Sequence, residues 1–127
     1  MALLALALPA RACEIPADFP SRNGIAGVGY VLAWRAVPAK IEVGRHFAVE
    51  AVVCPKAGRP AVTALGVDAE MPEHRHGMNY RARVAAKGEG RYLAEGLMFH
   101  MPGRWRFLFD VEAGSARERL AQDVAVE

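Results

Sequence analysis

From Tyr30 to the C-terminus, apolar residues recur at every second position in short runs broken by glycine and proline. That two-residue period marks strands that bury one face, and no stretch sustains the 3.6-residue period of a helix. Tyr30 to Val37 (YVLAWRAV) reads as a strand stopped by Pro38. After a turn at Gly44, His46 to Cys54 sets Phe47, Val49, Ala51 and Val53 on one side against Ala48, Glu50 and Val52 on the other. A third strand covers about Ala64 to Met71, with Leu65, Val67, Ala69 and Met71 sharing a face. Tyr80 to Ala86 and Arg91 to Phe99 flank Lys87-Gly88-Glu89-Gly90, whose glycines supply the positive φ of a hairpin turn. The last hairpin aligns Trp105, Phe107, Phe109 and Val111, turns at Ala113-Gly114-Ser115, and returns through Leu120, Val124 and Val126. About seven short strands at this spacing predict an all-β fold, an immunoglobulin-like (Ig-like) antiparallel sandwich, with an eight-stranded barrel as the alternative.

Composition changes this picture in three places. With 127 residues, 53% of them apolar, the chain is sized for one domain with a true core. A formal net charge of +2, with arginines interspersed among acids, leaves no electrostatic footprint for nucleic acid. Met1 to Ala12 (MALLALALPARA) joins a short apolar run to Ala10-Arg11-Ala12, the small-x-small pattern of a signal-peptidase site. The expectation is a signal peptide over residues 1–12, one sandwich domain over 13–127, and export to the periplasm. No basic residue precedes the apolar run, and Pro9 and Arg11 would interrupt the alternative, a buried N-terminal strand or helix. The run falls short of the roughly 20 apolar residues that cross a bilayer, so no membrane span is expected in the mature chain. Cys13 and Cys54 are the only cysteines, which in an exported chain predicts a disulfide tying the N-terminal segment to the core. Lipidation of Cys13 is the alternative, and Arg11 and Ala10 are poor residues for that signal.

Two segments carry unusual chemistry. MPEHRHGMNY (Met71 to Tyr80) and LMFHMP (Leu97 to Pro102) crowd imidazoles together with thioethers. A set of soft sulfur and borderline nitrogen donors suits copper, in either oxidation state, better than magnesium, calcium or manganese. His74, His76, Met78 and His100 are the first candidate ligands, with Met101 as an alternative soft donor. If Gly88-Glu89-Gly90 is a three-residue loop, Lys87 pairs with Arg91 and Arg83 with Glu95. In that register Tyr80, Ala82 and Val84 face Met98, Gly96 and Ala94, and Met78 faces His100, which brings both segments to the open end of one hairpin. His74 and His76, two apart, project to one side of extended backbone, and Gly77 lets the chain turn before Met78. Pro72 and Pro102 stiffen the segments.

Each of these residues has a plainer role open to it. Met71 and Met98 suit core filling, His100 a core-edge histidine bonded to backbone, and His46 a surface position. Asp68, Glu70 and Glu73 fit a solvated rim, with Glu73 alternatively orienting an imidazole. The sequence contains no Ser-His-Asp set, no paired carboxylates and no spare cysteine, so an enzyme is not expected.

The strand HFAVEAVVCP, the segment VDAEMPEHRHGMNY and the run GLMFHMPGRWRFLFDV together resemble the YtkA-like and FixH-like group of small exported or membrane-tethered bacterial β-sandwich domains. The resemblance covers roughly the C-terminal two-thirds of the chain. It implies an Ig-like fold located outside the cytoplasm; FixH-type members are associated with copper supply or assembly of a terminal oxidase and carry a membrane anchor. The Met-plus-His content is also similar to that of periplasmic copper carriers with cupredoxin-like or CopC-like sandwiches. A blue-copper electron-transfer site would require a cysteine ligand, and Cys54 is assigned to the disulfide. The functional expectation is an exported protein that carries or buffers copper and hands it to an exported redox enzyme or oxidase. The alternative is a metal-free module that docks on such an enzyme through its Met- and His-rich edge.

Overall fold

The computed structural model describes residues 13–127, and the expected signal peptide lies outside them. The alternating segments form strands as the pattern requires: β2 (Tyr30–Val37), β3 (His46–Pro55), β4 (Ala64–Met71), β6 (Arg83–Gly88), β7 (Arg91–Met98), β8 (Gly103–Ala113) and β9 (Ala116–Val126). Two short pieces the alternation did not reveal are added, β1 (Gly24–Ala26) and β5 (His76–Gly77). All pairings are antiparallel, and the strands form two sheets in the orders β1-β2-β3-β7-β6 and β5-β4-β8-β9. The fold is thus an all-β, Ig-like sandwich.

One face of each sheet supplies the core. Leu32 and Trp34 of β2 and Phe47, Val49 and Val53 of β3 meet Leu65, Ala69 and Met71 of β4 and Trp105, Phe107 and Phe109 of β8. A smaller cluster lies on the outer face of the first sheet, where Phe19 packs on Ala33, Val52 and Cys54. The Arg35 guanidinium covers the Phe19 ring at 4.6 Å and is itself held by Glu50 and Asp18. Cys13 and Cys54 form the expected disulfide, so the N-terminal segment is bonded to the end of β3. Among the described residues no helix is long and apolar enough to cross a membrane.

Register departs from expectation in two places. The β6–β7 hairpin turns through Glu89-Gly90, with Gly88 opposite Arg91 in place of Lys87, and an irregularity between Ala86 and Gly88 restores the expected pairs Arg83–Glu95 and Val84–Ala94. Further along, β7 accommodates one extra residue against β3: Val49 faces Ala94 but Phe47 faces Leu97, with Gly96 at φ 86°. An extra residue turns every later side chain to the opposite face. Tyr92 and Ala94 point into the core before the shift; Leu97 and Phe99 do so after it. For this reason the expected pairs Tyr80–Met98, Ala82–Gly96 and Met78–His100 are not part of the ladder, which begins at Arg83, and Met98 pairs with His46 instead.

Candidate functional site

Both unusual segments are crossovers from one sheet to the other, and they lie at the same end of the sandwich. Pro72 to Ala82 links β4 in the second sheet to β6 in the first, with β5 on the way; Phe99 to Pro102 links β7 back to β8. Their proximity comes from strand β4, which pairs with β5 on one side and with β8 on the other, and not from the open end of the β6–β7 hairpin. Met71 is opposite His76 in the β4–β5 pair, and cross-strand partners share a face. Met71 is buried, which directs the His76 ring inward over the end of the core.

The turn joining β4 to β5 is tight. The His74 amide donates to the Met71 carbonyl at 3.1 Å, and Arg75 adopts a left-handed φ of 53°. His74 and His76 therefore meet across a turn, not along extended backbone, and the reversal occurs before Gly77. Their ring centres are 5.7 Å apart. His76 is in turn 5.1 Å from His100, so three imidazoles stand in a row with His76 in the middle. Two imidazoles bound to one ion at about 2.0–2.1 Å per nitrogen have ring centres roughly 5–6 Å apart, which both spacings satisfy. Among the described residues no three His, Cys, Asp or Glu side chains are grouped so as to hold a metal ion. The row is thus two adjacent pairs sharing His76, not a closed cage of three nitrogens.

Hydrogen bonding defines what each ring has to offer. His76 Nδ1 lies 3.1 Å from the Gly77 carbonyl. A carbonyl only accepts, so this bond requires the proton on Nδ1 and leaves the Nε2 lone pair available, the arrangement typical of metal-ligating histidine. His100 Nδ1 is shielded from solvent and has no hydrogen-bond partner among the described residues. An unpartnered buried polar atom costs about 1–3 kcal/mol, which a ligand at that ring would offset. The backbone-satisfied role open to His100 is therefore not met at this nitrogen. His46, by contrast, sits against Tyr80 with Nδ1 3.3 Å from the Leu97 carbonyl, apart from the row.

Trp105 is the residue the sequence did not single out. Its buried indole meets His76 and His100 edge-on, at 5.9 and 5.4 Å, and stacks on Phe99 at 4.4 Å. Its Nε1 donates to the Met101 carbonyl at 3.0 Å, fixing the second crossover. The signal available was the spacing FHMPGRW, in which an inward strand position follows the histidine within one turn. Met78 and Met101 are half-buried against the core, and Met71 lies fully within it. Glu73 is bound by Arg104 Nε at 3.2 Å, so its carboxylate is engaged by a guanidinium and not by an imidazole. Arg104 also pairs with Asp123, linking the first crossover to β9.

No protein-family model matches the sequence, and no curated protein matches it at a significant level. Among solved structures the chain is similar to the crystal structure of a DUF4426 family protein from Pseudomonas aeruginosa PAO1. The TM-score is 0.51 at 14% identity, over 80% of this chain and 94% of that one. The likeness is one of fold.

Proposed function

We propose that the chain is an exported copper-binding sandwich, of the YtkA-like or FixH-like kind, that carries or buffers the ion at the His74–His76–His100 row. The observation that carries this reading is the His76–His100 pair: two rings from separate crossovers, 5.1 Å apart, one with a free Nε2 and the other with an unpartnered nitrogen. These two rings would hold the ion, with His74 as a third nitrogen donor and the thioethers of Met78 and Met101 as soft donors from the same rim. A site at the rim, open on the His74 side, suits transfer to an exported redox enzyme or oxidase. The disulfide fits an oxidising compartment such as the periplasm.

Titration of the disulfide-intact protein with Cu(II) and Cu(I) tests the proposal. Stoichiometric binding is expected, abolished by His76→Ala or His100→Ala and retained by His46→Ala. Because Trp105 touches both central rings, Cu(II) should quench its emission, a response that Trp34→Phe keeps and Trp105→Phe loses. Affinity no better than that of free histidine would overturn the reading and favour the metal-free docking module.

A further inference from the structure

Strand β9 is eleven residues long and, among the described residues, pairs with β8 alone, in a ladder without a register shift from Ala113–Ala116 to Gly103–Val126. Among the described residues no strand pairs with its other side, while β1 packs beside it and Glu118 and Gln122 on its inner face bond to Gly29, Trp34 and Arg22; a long, regular edge without proline is a template for a further strand. Beside its C-terminal half, Val124, Ala125 and Val126 border a groove of 590 Å³ whose other walls are Trp34 to Ala36 of β2 and the N-terminal segment at Pro20 and Arg22. Charged residues on an edge ordinarily discourage pairing; here their order does the opposite.

We infer that β9 is the dimer interface of this protein, pairing antiparallel with β9 of a second copy across a two-fold axis. In the register that overlaps all eleven residues, Ala116 meets Val126 and Ala121 meets itself on the axis. The exposed face then sets Arg119 opposite Asp123 of the second copy, twice by symmetry, and Arg117 opposite Ala125. On the inner face Leu120 meets Gln122 and Glu118 meets Val124. No like charges face each other. Within one copy Asp110 pairs with Arg119, Arg106 with Asp123, and Glu70 lies across from Arg106. The joined sheets therefore carry unbroken rows of alternating sign, Asp110–Arg119 continuing into Asp123–Arg106–Glu70 of the second copy. Opposite charges on directly facing strands attract, and the small side chain at the axis lets the backbones approach. A C2 contact through one self-complementary patch is the commonest way for identical chains to assemble.

Sedimentation velocity from low micromolar to near-millimolar protein should show conversion to twice the monomer mass, and R119D should remain monomeric while still folded by circular dichroism. Mild oxidation should cross-link A121C into a dimer, whereas S115C, at the exposed hairpin tip, should not cross-link under the same conditions. A monomer at every concentration, or cross-linking of A121C no faster than of S115C, would overturn the inference.

Discussion

Gly90 leaves no room for a side chain. A Cβ there would lie 2.5 Å from the Val53 carbonyl oxygen and 2.9 Å from the Cys13 sulfur, on backbone at φ 77°. Gly44 has nearly the same φ, 78°, with nothing among the described residues within 4 Å of the same atom. Gly44→Ala should therefore cost about 1 kcal/mol, the left-handed penalty alone, and Gly90→Ala roughly 2–4 kcal/mol because steric conflict with backbone adds to it. Thermal melting of the two variants separates the terms. Such contrasts are invisible in a sequence, where both are simply glycines in turns. The candidate donor types were legible, since two segments that combine histidine with methionine stand out by composition. The roles of Arg75 and Trp105 were not: an arginine in left-handed backbone has no local signature, and Trp105 reads as one more inward position of a strand.

At the scale of elements, the seven long strands follow from alternation, and most of their limits fall within a residue or two of the pattern; β6, which starts at Arg83 and not Tyr80, is the exception. In the β6–β7 hairpin the expected pairs Arg83–Glu95 and Val84–Ala94 hold, whereas Lys87–Arg91 at the turn and the pairs beyond Glu95 do not. A glycine within Leu93 to Met98 carries no side chain to show which face it belongs to, so the shift there is silent, and the expected Met78–His100 pair was lost with it. The two crossovers meet all the same, because β4 is flanked by β5 and β8. The disulfide, inferred from the cysteine count, joins residues 41 apart and secures the N-terminal segment whose Phe19 covers the first sheet. Replacing both partners, Cys13→Ala with Cys54→Ala, should lower the unfolding free energy by about 4 kcal/mol on the chain-entropy account, read from the urea midpoint.

For the whole molecule, charge on the outer face of the second sheet sets a dependence on acidity. Hydrogen bonding to Arg106, reinforced by Arg104, holds the Asp123 carboxyl below the ordinary carboxylate range. A carboxyl with a depressed folded value stabilises the fold at pH above its unfolded value, about 3.9, and that contribution is lost as pH falls through the folded value. Asp123→Asn should melt below the parent at neutral pH, and the gap should close under acid; a gap that is constant with pH would contradict the assignment. The length of β3 separates the imidazole row from the disulfide. The strand begins with His46 at the imidazole end and carries Cys54 near its other end. Those eight steps of extended chain span about 26 Å. The cystine therefore lies about a full strand's length from the imidazole row, at the opposite end of the sandwich.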